Sequence, residues 1–225
     1  MRITMAMTGV LALAAVAPLA AQQQQSKDPT KAVEATALPT GWSMRLDDKD
    51  ASKNAKFEAM GPGFHVTSGG AGIYWRAADA QKDNYTVSAN FHQAVKNVGH
   101  GDHGEAFGLF VGGRDLSDAA KETYLYFEVR QDGMYYVAHR SGTAVHGLVP
   151  WTANSAIHKF DDTPNTNDLA IKVGTDSVRF LVNNMQVSAL PRSGMSADES
   201  GQVGVRVNHN LSVHIANFAA KPGGK

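Results

Sequence analysis

The residues His100-Gly101-Asp102-His103-Gly104-Glu105 hold two imidazoles and two carboxylates in six positions. These are groups a divalent metal takes as ligands, and the glycines let the loop fold back so that spaced donors converge. His103 and Glu105 lie nearest the strand that follows, so they are the pair a rigid element would hold. The spacing matches no established zinc pattern such as His-Glu-x-x-His on a helix, and a polar, glycine-rich turn explains the same residues. Asp47-Asp48 with Asp50, and Asp161-Asp162, raise the same question for calcium. No Asp-x-Asp-x-Asp-Gly loop accompanies them, and aspartate favours turns by bonding its own backbone, so turn chemistry is the expectation. The cofactor expectation is none, with a structural divalent cation as the one exception these residues allow.

Nucleophilic and phosphate-binding motifs are missing. There is no Gly-x-Ser-x-Gly elbow, and Gly69-Gly70-Ala71-Gly72 runs into a strand rather than a helix, so it reads as a turn. His65, His139, His146, His158, His209 and His214 are dispersed along the chain and read singly as ordinary residues.

The densest set of aromatic and charged groups lies in Glu105 to Arg140, which contains two alternating runs and an Asp132-Gly133 turn. Successive side chains of a strand point to opposite faces. From Thr123, one set is therefore Leu125, Phe127 and Val129, a core set, and the other is Tyr124, Tyr126, Glu128 and Arg130. The run Gln202 to Asn208 divides into Val203, Val205 and Val207 against Gly204, Arg206 and Asn208. Tyr85, Val87, Ala89 and Phe91 likewise separate from Thr86, Ser88, Asn90 and His92. If these strands share one sheet, its outer face carries Asn90, His92, Tyr126, Glu128, Arg130, Arg206 and Asn208, with His139 nearby. Such a face can hydrogen-bond and stack on a sugar; it can also be a solvated face laced with weak cross-strand ion pairs.

The elements that position these groups read as short strands. They are expected at Trp42–Leu46, Lys56–Met60, Phe64–Thr67, Ala71–Arg76, Tyr85–Gln93, Ala106–Val111, Thr123–Arg130, Met134–Arg140, Asp168–Val173, Ser177–Val182, Gln186–Leu190, Gln202–Asn208 and Leu211–Phe218. Leu116 to Lys121 offers one helical turn, and Val149 to Asn167 reads as a long loop holding Pro150, Trp151 and Pro164. Thirteen short strands without intervening helices predict an all-β, antiparallel two-sheet sandwich.

Length and composition bound the rest. The chain has 225 residues, 43% hydrophobic and 19% charged, enough for one well-buried domain. Met1 and Arg2 precede an apolar run from Val10 to Leu19 that ends in small residues before four glutamines, the pattern of an export segment cleaved after Ala21. Residues 22–38 read as a disordered linker, 39–219 as the domain and 220–225 as a flexible tail. Removing residues 1–21 takes away one arginine from 21 basic and 21 acidic side chains, so the remainder is near neutral. That excludes a broad electrostatic partner such as nucleic acid. With no cysteine, stability in an oxidising compartment rests on the core alone. A secreted or periplasmic, bacterial protein is the expectation, with no membrane span once the segment is removed and an oligomeric state left open.

The blocks Gly41-Trp42, EAFGLFVGG, TYLYFEVRQDGMYYVAHRSG, NDLAIKVGTDSVRFLVNNMQV and GQVGVRVNHNLSVHIANF together resemble the concanavalin A-like lectin/glucanase superfamily. Within it, the chain is similar to bacterial secreted domains akin to 3-keto-disaccharide hydrolases (family-16-like) and to laminin G-like domains, over about Pro39 to Ala219. The resemblance implies a jelly roll of two antiparallel sheets with a concave face. It does not imply one activity. Retaining glucanases of the superfamily carry Glu-x-Asp-x-x-Glu on one strand. Here Glu128 is followed by Arg130 where that pattern has Asp, and no second Glu comes after it, which disfavours a laminarinase-type mechanism. The first expectation is a non-catalytic domain that binds carbohydrate or cell-surface glycan through Tyr126, Glu128, Arg130, Arg206, Asn208, His92 and His139. The second is a glycosidase or lyase on a (3-keto) disaccharide-type sugar with Glu128 or Glu105 as base, and the third a structural envelope domain.

Overall fold

The computed structural model describes residues 33–35, 38–47, 55–94, 105–161 and 163–223. The expected export segment, most of the linker, Asp48, Asp50, Asp162, His100, Asp102 and His103 lie outside the described residues.

Two antiparallel sheets form the domain. One has eight strands: β1 (Val33–Ala35), β3 (Lys56–Met60), β4 (Gly63–Thr67), β15 (Ser212–Pro222), β6 (Tyr85–Gln93), β11 (Asn165–Val173), β12 (Ser177–Val182) and β13 (Met185–Pro191), in that spatial order. The other has seven: β10 (Ala144–Ala153), β9 (Met134–Ser141), β8 (Thr123–Arg130), β7 (Ala106–Arg114), β14 (Gln202–Val207), β5 (Gly72–Arg76) and β2 (Trp42–Leu46). The expected two-sheet, all-β sandwich is the architecture observed.

Between the sheets lies the main core. Phe57, Phe64, Val66, Val87, Phe91, Ile171 and Phe180 meet Phe107, Leu109, Leu125, Phe127, Val129, Val203, Val205 and Val207. Phe91 stacks on Phe107 across the sheets at 4.9 Å. Each such side chain contributes about 1.5–3 kcal/mol on burial, so the period-2 alternation alone accounts for the layering. The β11–β12–β13 meander closes through Asn183 and Asn184, whose φ of 49° and 66° suit a two-residue turn that needs positive φ at both positions.

Three boundaries differ from expectation. Val33–Ala35, within the stretch read as a linker, pairs with β3 as an edge strand. β15 continues through Pro222, so the boundary set after Ala219 falls inside a strand paired with β6. Most consequentially, β10 occupies Ala144–Ala153, overlapping the expected loop Val149–Asn167, and β11 begins at Asn165. The alternation of β10 is broken by irregularities between Gly147 and Val149 and between Val149 and Thr152. An edge strand tolerates both these bulges and Pro150, and most of it is solvated, so no hydrophobic period marks it.

Candidate functional site

The face of the seven-stranded sheet turned away from the core carries a cross-strand row. In register across six strands stand Arg45 (β2), Ile73 (β5), Arg206 (β14), Gly108 (β7), Glu128 (β8) and Tyr136 (β9). Gly108 sits between Arg206 and Glu128. A Cβ there would come 1.8 Å from the Phe127 carbonyl oxygen, so only glycine fits. With no side chain intervening, Arg206 Nε reaches 3.2 Å from Glu128 Oε1 across the intermediate strand.

Arg206 is the hub. It donates from Nη1 to the Tyr124 hydroxyl at 2.9 Å and from Nη2 to Asp47 at 3.2 Å, and its guanidinium lies 5.0 Å over the Tyr126 ring. Arg45 bonds Asp47 at 2.8 Å and pairs with Glu122 at 2.5 Å. Arg140 on β9 lies 3.2 Å from Glu122 and 4.0 Å from Asp47. Three arginines thus interleave with three carboxylates.

That network requires a strongly curled sheet. Strands are about 4.8 Å apart, so β2 and β9, five steps apart in the sheet, would be separated by roughly 24 Å if it were flat. Yet Asp47, at the end of β2, touches Arg140 of β9. The outer face is therefore concave, and the network closes one end of the trough. Curling also buries what the alternation sends outward: Tyr124, Tyr126, Ile73, Phe110, Leu116 and Ala138 form a second apolar cluster, and Glu128 and Arg206 are only 3% and 7% exposed. A solvated sheet face is thus not what these residues make. Gly204 serves the same packing, since a Cβ there would lie 2.6 Å from the Phe110 ring.

The charges respond to this burial. Desolvation pushes the Glu128 carboxyl up to about 7 against the pull of Arg206, and the carboxylates of Asp47 and Glu105 add to the rise. Burial also acts on Asp47, but Arg206, Arg45 and Arg140 outweigh it and hold that carboxyl below its ordinary value. One acid is kept ionised and its neighbour is poised near neutrality.

Two accessible features adjoin the network. A cleft of about 650 Å³ is lined by Met44, Arg45, Leu46 and Asp47 of the β2 end and by Ser117 to Ala120 of the loop before β8. Beyond Glu128 in the row, the bulged β10 places Trp151 on Tyr136, stacked at 5.0 Å, and the Arg130 guanidinium lies 4.7 Å over the Trp151 ring. Arg130 is itself paired with Asp132.

Of the residues singled out from sequence, Tyr126, Glu128, Arg130 and Arg206 share this face, and the others do not join them. Asn90 and His92 belong to β6 of the other sheet, where Asn90 bonds Asp168 and Asn217 and His92 bonds Thr166. The expectation of one shared sheet is corrected: all three segments alternate alike, and alternation alone does not say which sheet a strand joins. His139 pairs with Leu125 and so turns to the opposite side of its sheet from Glu128. Asn208 lies just past β14 and bonds Ala106 and Ser68 through its backbone. Glu105 is buried and lies 2.6 Å from His209 Nδ1. No three His, Asp or Glu groups among the described residues are arranged to hold a metal, and His103 is not among those residues.

Arg45, Asp47, Glu122, Arg140 and Trp151 were missed as site members. Asp47 read as a turn residue and Trp151 as part of a loop. Arg45, Glu122 and Arg140 fall at strand ends, and the cue that could have found them is a charged residue recurring on the non-core side of apolar strands.

No protein-family model matches the chain, and no curated protein sequence matches it. Solved structures do. The carbohydrate-binding module CBM66 from Bacillus subtilis superposes with a TM-score of 0.58 at 13% identity, over 81% of this chain and 96% of that one. The metal-free carbohydrate recognition domain of Emp46p gives 0.53 at 14% identity, over 82% and 89%. A putative glycosyl hydrolase from Parabacteroides distasonis gives 0.53 at 13% identity, over 80% and 100%. At these identities the likenesses show the fold, a two-sheet antiparallel β-sandwich.

Proposed function

We propose that this domain binds a glycan at the concave face of the seven-stranded sheet without transforming it. The observation that carries this reading is the pairing, on one curled face, of a fixed arginine–carboxylate network with an open cleft and an aromatic pair. A sugar offers hydroxyls that both donate and accept, and one apolar ring face. Asp47 and the arginines around it supply acceptors and donors already locked in place, so little side-chain entropy is lost on binding. Tyr136 and Trp151 supply flat, amphipathic surface for a ring face. That two of the similar structures are carbohydrate-binding domains supports the reading.

A glycan array followed by calorimetric titration tests it. At least one glycan should bind, and Trp151→Ala, and Asp47→Asn in protein that circular dichroism shows to be folded, should each weaken it tenfold or more, about 1.4 kcal/mol. Failure of every glycan at millimolar concentration would remove the proposal.

A second reading rests on the place of Glu128 in the cross-strand row of the concave face, beside Arg206, where burial pushes its carboxyl up to about 7, toward the range of a general acid or base at neutral pH. It gives a hydrolase or lyase on an ordinary or 3-keto disaccharide. Turnover abolished by Glu128→Gln, with glycan binding retained, would favour this reading over simple binding. We further propose export with removal of residues 1–21; an amino terminus at Gln22 in the protein recovered from the medium or periplasm would support it.

A further inference from the structure

Three of the histidines scattered in sequence are brought together on the other sheet. His214 of β15 stands in direct register with His65 of β4 on one side and with His92 of β6 on the other. The row continues to Glu58 of β3, opposite His65, and to Thr166 of β11, opposite His92. All five point away from the core, since their neighbours Phe57, Phe64, Val66, Phe91, Asn167, Val213 and Ile215 are the buried positions of the same strands.

We propose that this histidine row binds a divalent transition-metal ion, with His214 as the shared ligand and a cross-strand histidine as its partner. Directly opposed residues in antiparallel strands have Cβ atoms about 4.5–5.5 Å apart, and imidazole nitrogens bind zinc at about 2.0–2.1 Å, so two opposed imidazoles can meet on one ion. A central strand residue forms a hydrogen-bonded pair with one neighbour and a non-hydrogen-bonded pair with the other, so His214 has one partner at the closer spacing. Imidazole suits zinc, copper and nickel rather than calcium or magnesium.

The surroundings are those of a ligand set. His65 Nε2 lies 2.9 Å from Ser212 Oγ and His92 Nδ1 lies 2.9 Å from Thr166 Oγ1. Each hydroxyl fixes one ring nitrogen and leaves the other for the metal, as outer partners do in metal sites. The His214 ring is held against the Phe64 backbone carbonyl. Among the described residues no three groups converge on one point, so the proposed site is a two-imidazole one completed by water, with Glu58 close to its His65 side.

Titration of the full chain with ZnCl2 and NiCl2, followed by calorimetry, tests this. One ion should bind per chain, and His214→Gln should weaken it at least tenfold. His65→Gln or His92→Gln, whichever is the closer partner, should do the same. Substoichiometric Cu2+ should broaden the imidazole proton resonances of His214 and that partner first. His103→Gln serves as the control for the His100-to-Glu105 stretch. Binding that survives His214→Gln but disappears in His103→Gln, or no binding below millimolar metal, would overturn the proposal. If His214→Gln proves unstable, the broadening pattern in the unmodified chain decides the matter alone.

Discussion

Arg206 shows how much a single residue of this face supports. It is buried against Glu128, Asp47, Tyr124 and the ring of Tyr126. Removing one partner of a buried charged set leaves the other uncompensated, at a cost of about 3–5 kcal/mol. Arg206→Ala should therefore lower stability by that amount in denaturant unfolding, and Arg206→Lys should recover only part of it, because a single ammonium does not reproduce the fork of contacts. Glu199 makes a separate prediction. It is 2% exposed, with Oε1 unpartnered among the described residues, and burial lifts its carboxyl to about 8. Because this pKa lies above the unfolded value of about 4.5, the folded state holds the extra proton between the two, and stability falls as pH rises through that window. The same sign applies to Glu128 up to about 7. Each unit of displacement is worth about 1.4 kcal/mol, so unfolding midpoints should drop measurably from pH 5 to pH 8, and Glu199→Gln should flatten that drop.

At the scale of elements, the close contact between β7 and β8 depends on Gly108. Any Cβ there collides with backbone rather than with a movable side chain, so Gly108→Ala should separate the strands locally and part Arg206 from Glu128. Loss of several kcal/mol, or failure to accumulate folded protein, is the expected result, with unfolding curves as the measurement. Strand existence was legible because the central strands bury one face and so alternate: Thr123–Arg130 and Tyr85–Gln93 fall where the pattern put them. β10 was not legible for the complementary reason. It buries little, carries Pro150 and bulges twice, so the force that writes a period into a sequence is absent. Trp151 went with it.

At the scale of the molecule, what sequence could not carry was curvature and sheet membership. Alternation placed Tyr126, Glu128, Arg130 and Arg206 on a common side, and they share it. It said nothing of how far the sheet curls, and curling is what joins Asp47 to Arg206, 159 positions away, and buries an aromatic layer that reads as surface. His92, His65 and His214, each unremarkable alone, form a row only because β6, β15 and β4 are neighbours. The two sheets thus present different chemistries on their outer faces: an arginine–carboxylate trough with aromatics on one, imidazoles on the other.

The glycan site proposed for this molecule is the concave face of the seven-stranded sheet. Backbone and side-chain NMR spectra of the protein, recorded during titration with the best glycan from an array, test it most directly. Shifts should concentrate at Met44 to Asp47, Ser117 to Ala120, Tyr136 and Trp151, with the eight-stranded sheet unchanged. Shifts confined to the eight-stranded sheet, or none at saturating glycan, would contradict it.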